Sequence, residues 1–480
     1  MREKIIVLGA GIAGLAAAIK LLQSGKEVTL IEKNSDVGGL CNGYFVDGYY
    51  IDNCIHWLMG TAKGNNINDL WNDIGALSED TPIISLPTLG TFEYQGTKVT
   101  FYRDLTKAEE EWTKISPIDK KAIHKFFSAV KDVSSIMNVV LTNEKHNLMD
   151  LIRPLPSFTH IVKSMRESRE EYSKRFKHPA LQFAIKNAQT GYNNMFFFFD
   201  LYGIFSKGNA DVPQGGALEM IKRIKNKFLS LGGTLLTGCE ATKLVVNEGK
   251  VTSVITSKGE IKGDIFISTI DPNYTYKMLL ENKYESKLYN KLNKNIEKNT
   301  ISSCFNVYFS IEGDLSNIDV PTGLNISPIK VGNTTTDFVL FRNYSYDDCF
   351  KKDNKVVGSL FVDQNQDDYN YFKSLSSSNY KQEVNRICNE LLNSLKEKYP
   401  HLKIEYLSHF SPLDLEKWTN TSYGSIQSYS YTNKGLFYVF NGRTRGLSNL
   451  YMCGQWCRSI GGTPTALLTG NEIAKLINRD

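Results

Sequence analysis

Gly9, Gly11 and Gly14 follow a short apolar run in IIVLGAGIAG (5–14), and Glu32 stands 18 residues beyond the last of them. That spacing suits a dinucleotide pyrophosphate. Gly9 permits a tight turn, Gly11 lets backbone approach the phosphates, and Gly14 lets the next helix pack closely on the sheet. The N–H groups at that helix N-terminus face an anion, and an acid about 20 residues further on accepts from ribose hydroxyls. Further chemistry-bearing residues lie near His56-Trp57 and within NLYMCGQWCRSIGGTPTALLTG (449–470). His56 suits proton transfer near neutral pH; the other reading is a histidine hydrogen-bonded in the core or to a bound cofactor. Trp57 and Trp456 can wall a pocket or simply pack.

These residues need elements to hold them. Ile5 to Leu8 form a continuous apolar run, as expected of a parallel strand buried on both faces. An Ala- and Leu-rich helix follows, with small Ala18 suited to a tight contact and Gly25 closing it. A second strand, Val28 to Ile31, ends at Glu32. The C-terminal segment repeats the pattern of strand, glycine turn and helix start more than 400 residues later. Asp211 and Asp271 precede prolines closely and read as turn formers.

With the continuation EKNSDVGGLCNGYFVDGYYIDN, the chain resembles the FAD-dependent amine oxidase superfamily, and within it the phytoene desaturase and carotenoid isomerase branch. VPQGGALEMIKRI (212–224) resembles the branch's proline–glycine turn before a helix, and the following segment through STIDP resembles the strands that complete the FAD domain. CGQWCRSIGGTP resembles the family's closing motif. The resemblance implies FAD, cradled by Gly9, Gly11, Ala13, Gly14 and Glu32. It places Gly38, Gly39 and Leu40 along the phosphate and ribityl portion and the backbone of Ala241 at the adenine. Gly454, Gln455, Gly462, Thr463 and Pro464 fall beside the flavin, with Arg458 placed to reach flavin oxygens. The implied fold is α/β: a discontinuous Rossmann-type FAD-binding domain, a mixed-sheet substrate domain and a helical insertion. Two departures stand out. Leu40 occupies a position where the family often has Arg, and Asp52-Asn53-Cys54 replaces the usual Asp-x-Gly.

The chain has 480 residues, enough for two domains. Hydrophobic residues make up 41% and charged residues 22%, and a net charge of +5 does not point to nucleic acid. No run approaches the roughly 18 apolar residues of a membrane span. Eight scattered cysteines show no zinc-type pairing, no His-x-x-x-His spacing indicates a metal, and a reducing cytoplasm is the expected location. The FAD domain is expected in three pieces, 1–75, 205–280 and 435–480. Residues 76–204 read as a helical insertion and 281–434 as the substrate-domain sheet, from alternating runs such as SSCFNVYFSI. The insertion carries Arg153, Lys163, Arg166, Lys174, Arg175 and Lys177 ahead of Phe196–Phe199. That combination fits a phenylalanine stripe packed in the core. It also fits a peripheral contact with the inner face of the membrane that admits an apolar substrate.

A second GxGxxG is lacking, so electrons taken from substrate pass to oxygen, a quinone or a redox protein, or return to the substrate. The expected function is an FAD-dependent oxidoreductase acting on a hydrophobic unsaturated small molecule, a carotenoid-like isoprenoid or a fatty acyl chain. The reaction is desaturation, saturation or double-bond isomerisation, with His56 and Arg458 as candidate catalytic residues. A flavin amine oxidase releasing hydrogen peroxide and a non-catalytic flavoprotein scaffold are the alternatives.

Overall fold

The computed structural model describes residues 3–141, 164–188, 194–430, 432, 435–459 and 461–479. Its first sheet is parallel and draws on both ends of the chain. The strand order is Thr234–Leu236, Glu27–Ile31, Lys4–Leu8, Ile265–Ser268 and Leu450–Met452. Ile5, Ile6, Val7 and Leu8 are fully buried, as a parallel strand covered on both faces demands. The helices Ile12–Gln23 and Thr463–Ile477 lie against each other, close enough that a Cβ at Gly470 would crowd the carbonyl oxygen of Ala13. An antiparallel ribbon, Ala241–Asn247, Lys250–Thr256 and Gly259–Lys262, packs Leu244 and Val254 against Ile6, Leu8 and Phe266 on the other face.

The second sheet runs in the order Lys403–Phe410, Ser303–Glu312, Lys355–Gln364, Thr334–Asn343, Thr322–Val331, Thr88–Tyr94 and Thr97–Tyr102, with the short strand Lys351–Lys352 added beside Lys355–Gln364. The last two strands of that order correct the helical expectation for residues 76–204. TFEYQGTKVTFY forms a hairpin whose turn residues, Gln95 and Gly96, both have left-handed φ (47° and 82°), the backbone that a tight two-residue hairpin favours. The hairpin joins the sheet by a parallel pairing of Thr91 with Thr322 and Phe92 with Gly323. The helix Ser377–Lys398 covers the sheet's outer face through Val384, Ile387, Leu391 and Leu395.

Helices do dominate the other described residues of the insertion, among them Leu105–Ile115, Lys120–Leu141, Pro179–Asn187 and Met195–Ser206. They enclose an aromatic core. Phe198 and Phe199 contact Phe101, Phe126 and Tyr172 edge-on or tilted at centroid distances of 5.4–6.1 Å, a favoured arrangement for rings. Phe196, Phe197, Phe198 and Phe199 are all buried, so the phenylalanine stripe packs the core rather than facing outward. Arg175 pairs with Glu167 at 2.7 Å and lies over the Tyr172 ring, while Arg153 and Lys163 fall outside the described residues. No helix among the described residues is long and apolar enough to cross a membrane.

Candidate active site

A cavity of about 890 Å³ separates the carboxyl ends of the parallel sheet from the inner face of the second sheet. Size and position both suit a ligand site in an α/β fold. On the parallel-sheet side it is shaped by two glycine turns locked together. Gly38 N–H donates to Ala10 O at 2.8 Å, and Gly11 and Gly38 form an isolated parallel bridge. Gly9 (φ 97°) and Gly38 (φ 123°) adopt backbone that other residues rarely reach. Gly11 differs. Its φ of −74° and ψ of −178° suit any residue, and a Cβ there would meet nothing nearer than Gly38 O at 3.9 Å. The protein itself does not require glycine at 11, and the space beside it is open to a ligand.

Two helix N-termini face this space with no side-chain cap. The helix Ile12–Gln23 starts from Gly11 and the helix Thr463–Ile477 starts from Gly462, and neither start has a capping hydrogen bond. Free N–H groups and the helix dipole favour an anion or a carbonyl oxygen at each. Glu32 is buried with its carboxylate fixed: one oxygen accepts from Ala10 N–H at 2.9 Å, the other from the backbone and side-chain N–H groups of Asn34. The remaining lone pairs are available to ribose hydroxyls.

The other expected residues distribute as follows. Ala13, Gly39, Leu40, Ala241, Gly454, Gln455, Gly462, Thr463 and Pro464 line the cavity with Gly9, Gly11, Glu32 and Gly38. Gly14 does not line it. A Cβ there would overlap the carbonyl oxygen of Gly9, so its task is helix–sheet packing. Leu40 offers only apolar contact. Gln455 Oε1 accepts from Gly462 N–H at 3.1 Å and braces the closing glycine turn. Arg458 lines the cavity, but its Nη2 pairs with Glu472 while its buried Nε has no partner.

His56 sits half-buried in the cavity wall. Burial, reinforced by the nearby Arg342 charge, holds its imidazole well below the usual histidine range, so it is neutral, and its buried Nδ1 has no hydrogen-bond partner. Asp52 sets the loop that carries it. The carboxylate accepts from Cys54 N–H (2.7 Å), Ile55 N–H (2.9 Å) and Ala217 N–H (2.7 Å), joining the loop to the start of the helix Gly216–Ser230. Asp271 acts as expected, capping Asn273 N–H at 2.8 Å. Asp211 does not: it lies within the strand Ala210–Pro213 and pairs with Arg103, because Pro213 ends a strand there rather than opening a turn.

Sequence reasoning missed the opposite wall. Side chains alternate along strands, so one face of the second sheet presents Asn306, Phe361 and Leu340 in one row and Tyr308, Ser359 and Arg342 in the next. Phe92 extends the first row across Gly323. Asn306 Nδ2–H donates to Tyr308 Oη at 2.7 Å, and Tyr308 O–H donates to Asn53 Oδ1 at 2.8 Å. From the helical side Phe197, Asp200 and Leu201 complete the chamber. Burial pushes the Asp200 carboxyl up to about 7. An acid inside the apolar run MFFFFDLY was its sequence signal.

Residues 12–478 match the family described as flavin containing amine oxidoreductase. The chain belongs to that family. The open space above Gly11 and the two uncapped helix starts fit a flavin cofactor such as FAD. Among relatives, the neurosporene-forming phytoene desaturase of Rhodobacter capsulatus is 25% identical over 301 residues, covering 58% of this chain and 55% of that enzyme. The chain thus spans about half the length of that relative. The 1-hydroxycarotenoid 3,4-desaturase of a Flavobacterium species is 23% identical over 504 residues, with 99% of each chain covered. A crystal structure of an oxidoreductase from Methanosarcina mazei shares the fold, with a TM-score of 0.61 at 15% identity, covering 98% of this chain and all of that one.

Proposed function

We propose that the protein is an FAD-dependent oxidoreductase that acts on a hydrophobic, unsaturated substrate, a carotenoid-like isoprenoid or a fatty acyl chain, by desaturation, saturation or double-bond isomerisation. The observation that carries the reading is the apolar row Phe361–Leu340–Phe92, closed by Phe197 and Leu201, in the same cavity as the glycine turns. The carotenoid desaturases among the relatives support it. An amine substrate fits less well, because the buried Arg342 cation repels a second positive charge and Asp200 is disposed to be neutral.

In this reading Gly9, Gly11, Gly38 and Gly39 bring backbone to the FAD pyrophosphate. Glu32 holds the adenosine ribose, Ala241 borders the adenine, and the turn Gly454–Pro464 borders the flavin. FAD supplies the hydride chemistry when bound. The chain orients the unsaturated segment, excludes water from it, and offers His56 as an uncharged group that accepts or relays a proton. The test is anaerobic mixing of the holoenzyme with phytoene, lycopene or linoleate in detergent micelles, and separately with putrescine, following flavin absorbance and the polyene spectrum. Bleaching of the flavin or a shifted polyene spectrum with the unsaturated compounds is expected. Flavin reduction by putrescine alone refutes the reading.

A further inference from the structure

Arg342 is 6% exposed and makes no hydrogen bond or ion pair with any described residue, and its Nη1 is wholly enclosed. Arg103 pairs with Asp211, Arg386 with Glu383 and Glu390, and Arg458 with Glu472; Arg169 is also buried with unpartnered Nε and Nη1, but it does not line the cavity, whereas Arg342 does. A guanidinium keeps its charge when buried, and burying it unpaired is costly. Arg342 is nevertheless held on a central strand, Thr334–Asn343, which can neither swing out nor relax toward water. It faces the cavity, on the other sheet from the glycine turns that suit a pyrophosphate. The flavin cofactor's phosphates therefore do not account for it.

The row it occupies is informative. Tyr308, Ser359 and Arg342 stand side by side across three strands. One row along, two residues and about 7 Å away, stand Phe361 and Leu340, with Phe92 beyond them. Asn306 Oδ1, also buried and unpartnered, stands at the polar end of that apolar row, beside Phe361 and next to Tyr308. Neutral His56 adjoins the Arg342 charge. A single face thus grades from an unpaired cation with hydroxyl groups to an apolar track, matching a molecule with an anionic head and an unsaturated apolar tail.

We propose that Arg342 anchors a carboxylate on the substrate, which is therefore an unsaturated amphiphilic acid and not a hydrocarbon. The inference rests on the apolar-substrate reading above and sharpens it. A carboxylate receives two parallel N–H bonds from a guanidinium, Ser359 stands beside the pair, and the tail follows Leu340 toward Phe92 and Phe197. The acid is that of a fatty acyl chain or of an isoprenoid, and the same anchor serves both.

The test titrates holoenzyme with linoleate and methyl linoleate, and with all-trans-retinoate and its methyl ester, following the flavin absorbance change. Wild type should bind at least one acid more than about tenfold tighter than its ester, and the tighter pair identifies the tail. Arg342→Gln should bring that acid to the level of its ester and leave ester binding and FAD content unchanged, while Arg342→Lys should recover part of the preference. Equal binding of acid and ester by wild type overturns the carboxylate anchor and leaves the apolar-substrate reading standing. An equal loss of both in Arg342→Gln, or loss of its FAD, likewise overturns the anchor and assigns Arg342 to packing or to the cofactor. If neither acid nor ester nor a polyene hydrocarbon perturbs the flavin, both readings fall together.

Discussion

Gly11→Ala separates a glycine that serves a ligand from one that serves the fold. At Gly11 the backbone is ordinary and a Cβ meets only Gly38 O at 3.9 Å, so the apoprotein should lose no more than about 0.5 kcal/mol, as for a substitution free of packing consequences. The methyl group instead fills the space above the uncapped start of the helix Ile12–Gln23. A pyrophosphate pushed away there loses charge-assisted hydrogen bonds worth about 1.5–3 kcal/mol each. Losing two costs about 3–6 kcal/mol, or roughly 10²–10⁴-fold in FAD affinity. Gly14→Ala is the contrast. Its Cβ overlaps Gly9 O, so the helix must shift and the apoprotein itself should destabilise by about 1–3 kcal/mol or more. Apoprotein melting and FAD titration by flavin fluorescence quenching measure both effects. Wild-type FAD affinity in Gly11→Ala, or an apoprotein as destabilised as Gly14→Ala, refutes the reasoning.

Asp200 predicts a pH dependence. Its carboxyl is raised by burial from 3.8 to about 7, so its contribution is fully present below the unfolded value and is lost as pH rises through about 7. The loss is at most about 4 kcal/mol, at 1.36 kcal/mol per pKa unit. Asp200→Asn should therefore melt above wild type at pH 8 and match it near pH 4, and a constant difference across that range contradicts the assignment. Asp52→Ala strands two buried N–H groups, those of Ile55 and Ala217, and the part-buried one of Cys54, and should cost about 3 kcal/mol or more in thermal or denaturant unfolding; a loss under 1 kcal/mol means the loop is held by other contacts. His56→Ala, with FAD content confirmed, should lower kcat about 10²-fold or more. The wild-type rate profile should lack a limb at the ordinary histidine pKa, because His56 is neutral well below it, and unchanged turnover in the variant removes the proton-transfer role.

The half of the cavity formed by the glycine turns was legible because its parts are local. A strand, a glycine turn, a helix and an acid lie within the first 32 residues, and the C-terminal turn repeats the device. The departure at Asp52-Asn53-Cys54 also has a local answer. Cys54 does not adopt left-handed backbone, and Asp52 holds the loop by accepting its N–H groups, so glycine is not needed. The half lined by the second sheet was not legible because it depends on register between distant strands. That Leu340 neighbours Phe92 follows from pairing Thr88–Tyr94 with Thr322–Val331, more than 200 residues apart, and nothing local in either run announces it. Arg342 lies in DFVLFRN, where alternation assigns it to a face without saying whether water or protein covers that face.

Once the register is known, head and tail recognition become a matter of two adjacent rows on a rigid sheet. Helix-borne residues such as Phe197 and Asp200 can adjust the far end of the chamber without disturbing either row. A site on paired strands holds its geometry more tightly than one on loops. Position 342 is therefore where substrate class would be set in this chamber: a cation there selects an anionic head, and an apolar residue of similar volume would join it to the Leu340 track and suit a hydrocarbon.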